Sequence, residues 1–181
     1  DLLPTTHIFC LLNFRANFNP GWAARPNINQ LALNRMTDEE AGGIIRSIVG
    51  DSALDEQTLA NIISRADGVP LYLEEVTKSL LDSGALTSGA TDLAIPITLQ
   101  GSLTARLDLL KVEKQVAQIA SVIGREFELS LLSKIAPFGK TELNEYLTTL
   151  VRKDFVLQQG IGASARYIFK HALMRDTAYG S

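Results

Sequence analysis

The spacing of apolar residues changes near Thr37, and the change divides the chain. Before it, Ile8–Phe14 is a short apolar run bounded by polar residues, the pattern of a buried strand, and Ile28-Asn29-Gln30-Leu31-Ala32-Leu33 alternates as a second short strand would. Asn17–Asn29 holds two prolines, a glycine and several asparagines, which is loop composition. Neither strand has a partner in the chain to close a sheet, so their partners are expected upstream of Asp1.

From Thr37 onward the period is helical. Thr37-Asp38-Glu39-Glu40 is a capping box, in which the threonine hydroxyl and the Glu40 carboxylate satisfy free N–H groups at a helix start. Ala41, Ile44, Ile45, Ile48 and Val49 follow at helical spacing, and Gly50 is the stop. A second helix carries Leu59, Ile62, Ile63 and Ala66 and ends at Gly68. The third starts at Pro70, a favoured first-turn residue because its missing N–H is not needed there, buries Leu73, Val76 and Leu80, and ends at Gly84. These three make a small helical bundle over 37–86. Residues 87–95 follow as a linker, in which Thr87–Asp92 is Ser, Gly, Ala, Thr and Asp.

In the last part, Thr98 caps a helix with Leu99, Leu103, Leu107 and Leu110 on one face. Val116, Ile119, Ala120 and Ile123 mark the next helix, stopped by Gly124. A short helix over Leu129–Ile135 precedes the Pro137-Phe138-Gly139 turn. Thr141 is expected to cap a helix that turns Leu143, Tyr146, Leu147, Leu150 and Val151 inward. Phe155–Gln159 and Arg166–Phe169 predict a hairpin around Gly160–Ser164. Helix, helix, turn, helix and hairpin is the order of a winged helix over 96–181. The expected fold class is mainly α with a minor β part: a remnant of an α/β sheet over 1–36, a helical bundle and a winged helix.

With 181 residues and 46% hydrophobic content the chain can bury a real core. The net charge of −3 gives no general pull toward nucleic acid. Its distribution says more: ten acids face three bases over Thr37–Leu86, and eight acids face eleven bases over Pro96–Ser181, so two regions of different surface are expected. Cys10 is the single cysteine, which excludes a disulfide within the chain and fits a reducing compartment. No apolar run reaches the roughly 20 residues of a membrane span. Asp1–Thr6 lack a signal peptide's features and a methionine. A cytoplasmic protein that begins further upstream is expected.

Few residues carry candidate chemistry. Gly139-Lys140-Thr141 resembles the end of a phosphate-binding loop, but the glycine required five residues before the second glycine is replaced by Lys134, and a helix leads into it, so it reads as a turn and a cap. Gly68-Val69-Pro70 is either punctuation between helices or a turn that presents an apolar proline to a nucleotide base; Glu74 and Glu75 just beyond favour a base over a phosphate. Arg15 follows the first apolar run, where ligands lie outside the carboxyl ends of strands in open α/β sheets. It is either a surface arginine or a guanidinium placed for a phosphate. His171, at the start of the last helix, is either a partly buried imidazole satisfied by backbone or a phosphate contact. His7, His171 and one cysteine do not make a zinc site, and no metal ligand is assigned. The carboxylates of Thr37–Leu86 read as a solvated helix face. The helix from Thr141 to Lys153 would read a DNA groove, yet it carries Glu142 and Glu145 near its start, which face phosphates badly.

Taken in order, Ile95-Pro96-Ile97-Thr98-Leu99-Gln100, Leu103-Thr104-Ala105-Arg106-Leu107-Asp108, Val122-Ile123-Gly124-Arg125-Glu126-Phe127 and Phe169-Lys170-His171-Ala172-Leu173-Met174-Arg175-Asp176-Thr177-Ala178-Tyr179 resemble one bacterial family. It is the STAND branch of the AAA-type P-loop signalling ATPases, above all the members fused to class III adenylate/guanylate cyclase domains, often with a helical-repeat tail. The resemblance implies that Ile8–Arg15 is the sensor strand with Arg15 at the terminal phosphate, and that Gly68-Val69-Pro70 is the lid turn with Pro70 against adenine. It likens His171 to the winged-helix histidine on the β-phosphate of related NB-ARC proteins, although Ala172 stands where that pattern has an aspartate. It also implies ATP or ADP with magnesium in a parent protein, an upstream P-loop core and a downstream helical-repeat region as partners, and a winged helix that clamps domains.

The phosphate-binding loop and the magnesium-holding acidic strand are not in this sequence. Phosphoryl transfer is mostly positioning and charge neutralisation, so the chain alone is expected to be inactive. One charged contact from Arg15 supplies on the order of 1.5–3 kcal/mol, short of the ~4.1 kcal/mol of a millimolar complex, so tight nucleotide binding is not expected. The reading is a regulatory lid and winged helix of a nucleotide-switched ATPase; the alternatives are a DNA-binding transcription regulator and a nucleotide-independent protein–protein adaptor.

Overall fold

The structure, a computed structural model, describes residues 7–15, 17–19, 21, 28–50, 54–86, 95–162 and 165–181. The linker stretch Thr87–Asp92 and the hairpin tip at 163–164 lie outside the described residues. The chain divides into two compact units, Asp1–Asn34 and Arg35–Ser181.

The first unit corrects an expectation. Ile8–Phe14 and Ile28–Leu33 form no strand, and all their apolar side chains but that of Ile28 are exposed, Phe9 at 89% and Leu33 at 90%. A strand is stable only when its N–H and C=O groups meet a neighbouring ladder, and the described residues of this unit supply none. Phe18 N–H donates to the Arg15 carbonyl at 2.9 Å, and the rings of Phe14 and Phe18 meet edge-on at 5.3 Å, a local turn.

The second unit is mainly helical, with a small antiparallel sheet. Helices α1 (Asp38–Val49), α2 (Glu56–Ala66) and α3 (Pro70–Asp82) form the bundle expected from the sequence. Thr37 and Glu40 complete their capping box, with Thr37 N–H donating to the Glu40 carboxylate at 2.8 Å. Asp55 caps α2 through Thr58 N–H at 2.8 Å. The bundle buries Ile45, Ile62, Leu73, Val76 and Leu80, and Ile95 joins that core.

Helices α4 (Leu99–Asp108), α5 (Val112–Ile123), α6 (Leu129–Ile135), α7 (Lys140–Arg152) and α8 (Ala172–Gly180) surround strands β1 (Glu126–Glu128), β2 (Val156–Gln159) and β3 (Arg166–Phe169). The strand order is β1-β3-β2, all antiparallel, with Phe127 opposite Tyr167 and Val156 opposite Phe169. Phe127 stacks on Tyr167 at 5.6 Å and packs on Phe169 at 5.8 Å, which anchors the sheet to a core of Leu107, Val116, Leu132, Leu143 and Leu147. Strand β1 was not expected; three residues are too few to show a period. The cap of helix α7 falls two residues earlier than expected: Gly139 is the N-cap, and Glu142 accepts its N–H at 3.0 Å, leaving Thr141 in the first turn.

The bundle core and the α4–α8 core are separate apolar clusters, with Leu99 packed against both. Among the described residues, no helix is long and apolar enough to cross a membrane.

Candidate functional site

Helix α3 lies between the two cores, and its charged residues meet the second core. Glu75 is fully buried and Arg106, on α4, is 2% exposed; the two form an ion pair through Glu75 Oε2. The same guanidinium donates from Nε to Asp82 at 3.2 Å and from a terminal nitrogen to the Lys153 carbonyl at 2.5 Å, and its carbon sits 4.9 Å from the Phe155 ring centre. Lys153 Nζ reaches Asp82 at 2.5 Å. A second cluster adjoins it: Glu74 Oε1 accepts from Lys78 at 2.6 Å and from Lys170 at 2.7 Å, and Asp154 takes Lys78 at 2.5 Å and Lys170 at 3.4 Å.

These contacts explain the uneven charge along the sequence. The acids of α3 are paired with bases of the C-terminal part, Arg106, Lys153 and Lys170. The expectation of a solvated acidic face is therefore corrected at α3, because a helix packed on both sides has no free face to give to water. Burial works against ionisation of Glu74 and Asp154, but hydrogen bonds and charge from Lys78 and Lys170 outweigh it, so both carboxyls are held below their usual range. Burial likewise opposes the charge on Lys170, and the carboxylates around it win, raising its pKa.

Two buried atoms in this region have no hydrogen-bond partner in the structure: Glu75 Oε1 and His171 Nε2. His171 is the N-cap residue of α8 without a side-chain cap bond, and it offers a ligand atom within 4.8 Å of those of Glu74 and Glu75. Backbone does not satisfy this nitrogen, and the Glu74 carboxylate near the imidazole itself holds Lys78 and Lys170.

Gly68 and Pro70 share the turn between α2 and α3. Gly68 has φ +69°, and a Cβ there would stand 2.9 Å from Arg35 Cβ and 3.0 Å from the Met36 carbonyl oxygen. Met36 N–H donates to the Gly68 carbonyl at 3.3 Å, and Arg35 pairs with Asp67. A glycine is thus required here by the approach of segment 35–36. A shallow pocket of about 200 Å³ opens beside this turn, lined by Arg35, Met36, Asp38, Ser64, Asp67 and Gly68. Pro70 is exposed as the first residue of α3. Arg15 belongs to the first unit, where it is exposed in a turn. The structure brings Gly68 and Pro70 together and sets His171 against α3 one turn further on. The seam residues Arg106, Lys153 and Lys170 were not expected; the imbalance between ten acids and three bases in one segment and the basic excess in the other was their signal.

No protein-family profile matches the chain. It is similar to an uncharacterized protein of Rhizobium meliloti (strain 1021), 25% identical in an alignment of 177 residues that covers 92% of this chain. The chain spans 17% of that protein's length.

Proposed function

We propose that this chain is the lid and winged-helix part of a nucleotide-switched signalling ATPase of the STAND type, in which α1–α3 is the lid and α4–α8 with its sheet is the winged helix. The observation that carries the reading is the seam: two apolar cores, bridged by Leu99, meet along ion pairs. Polar interfaces within a chain are the kind across which domains move, and a switch needs two packings of comparable free energy. The exposed Pro70 supports a base contact at the lid turn.

In this packing His171 Nε2 is buried beside α3, so a phosphate contact by His171 belongs to a packing in which α3 has moved away. Arg15 supplies the γ-phosphate contact in the parent protein, where ATP or ADP with magnesium is held by an upstream P-loop core. The parent hydrolyses ATP, and its output lies on another domain, a nucleotide cyclase being one candidate. The chain works in the cytoplasm, and its partners are the upstream core and a downstream helical-repeat region.

DNA binding is less well supported: α7 exposes Glu142 and Glu145 in its first half, with Arg152 at its end.

The test is calorimetric titration of ADP and ATP with magnesium into this chain and into a longer stretch of the parent that includes the upstream core. Binding by the longer protein only, weakened by Arg15→Ala or Pro70→Ala, is the expected result. A longer protein that ignores nucleotide would overturn the reading and leave a nucleotide-independent adaptor.

A further inference from the structure

The meeting of α3 with the start of α8 has chemistry that ion pairing does not use up. Glu75 is completely buried, and while its Oε2 takes Arg106, its Oε1 has no hydrogen-bond partner among the described residues; His171 Nε2 is likewise buried and unpartnered. An unmade hydrogen bond on a buried polar atom is costly, and two such atoms together point to a shared ligand. Ligand atoms of Glu74, Glu75 and His171 lie within 4.8 Å of one another.

We infer that Glu74, Glu75 and His171 form a binding site for a divalent transition ion of the zinc class. One imidazole nitrogen and two carboxylates are the donor set that zinc and cobalt accept. Bonds of about 2.1 Å would bring tetrahedral ligands to about 3.4 Å from one another, a contraction from the observed limit within reach of side-chain rotation in Glu74 and His171, both half-buried. The ion would tie the α1–α3 bundle to the first residue before α8. The site does not depend on the nucleotide reading.

Charge sets how tightly it binds. The carboxylates of Glu74, Glu75, Asp82 and Asp154 are already balanced by Lys78, Arg106, Lys153 and Lys170. An incoming dication must displace lysine from Glu74, and both displaced lysines retain Asp154. Binding is therefore much weaker than at a four-ligand structural zinc site. The same competition gives the site its signature: removing the Lys170 charge should tighten it.

The experiment is titration of zinc into the full chain by calorimetry, with cobalt absorption as a second readout, on the unaltered protein and on His171→Asn, Glu74→Gln and Lys170→Gln, each checked for folding by circular dichroism. One ion per chain is expected, with affinity reduced at least about tenfold in His171→Asn and Glu74→Gln and increased in Lys170→Gln. No binding at micromolar zinc, or binding unchanged by both ligand substitutions, overturns the site. Binding that Lys170→Gln leaves unchanged or weakens contradicts the displacement of lysine on which it rests.

Discussion

Arg106→Met tests whether the ionic seam holds the second unit together. The substitution keeps an apolar stem of similar length while removing the guanidinium from Glu75, Asp82, the Lys153 carbonyl and the Phe155 ring. Asp82 keeps Lys153. Glu75 keeps nothing, because its second oxygen already lacks a partner. Leaving one buried charge of a pair unmatched costs about 3–5 kcal/mol, a large share of the ~5–15 kcal/mol that holds a domain. At about 2–4 °C per kcal/mol for a unit of this size, the melting midpoint should fall by roughly 6–20 °C. Urea unfolding followed by circular dichroism measures the free energy, and Arg106→Met with Glu75→Leu separates charge from packing. Replacing both partners with apolar groups is often neutral or stabilising, so the double variant should regain most of the loss. A single variant that loses less than about 1 kcal/mol, or a double variant as damaged as the single, would refute the argument.

Three further outcomes follow from the same structure. The pKa values of Glu74 and Asp154 are lowered from ordinary values of 4.5 and 3.8, so their contribution is present above those values and is lost as pH falls through the lower folded ones; Lys170, raised from 10.5, contributes below that value and loses its contribution as pH rises through the raised one. Stability should therefore be level near neutrality and fall at both extremes, with the acid loss reduced in the double variant Glu74→Gln with Asp154→Asn, because Glu40 and Asp55, also lowered by their capping bonds, remain. Thr98→Ala removes the oxygen that accepts Gly101 N–H at 3.0 Å at the start of α4, and should cost about 1 kcal/mol in urea unfolding. Gly68→Ala forces a Cβ against Arg35 and Met36 at positive φ and should cost about 1–3 kcal/mol without any nucleotide present; a neutral result would show that segment 35–36 yields easily.

Local signals carried most of the helical architecture. The Thr37–Glu40 capping box, Pro70 at a helix start and the 3.6-residue spacing of Leu73, Val76 and Leu80 act within a few residues, so they are legible along the chain. The hairpin was legible through its two apolar runs, whereas β1 was not, because Glu126–Glu128 becomes a strand only by pairing with β3. The strands expected over Ile8–Leu33 failed for the complementary reason: an apolar run specifies burial, but not the neighbour that provides it. Of the candidate residues, Gly68 and Pro70 were visible through turn chemistry. The neighbours of Glu75 were not, since Arg106 and His171 lie far along the chain and no local pattern ties them to α3. Charge imbalance between the two segments was the trace they left.

On the proposed reading, the lid and the winged helix change their packing with nucleotide. This is tested most directly by placing spin labels at exposed Ser64 on α2 and Thr148 on α7, in a longer stretch of the parent with Cys10→Ser, and measuring the distance between them with ADP and with ATP. Two different distance distributions are expected. Identical distributions in a protein that binds both nucleotides would contradict that reading.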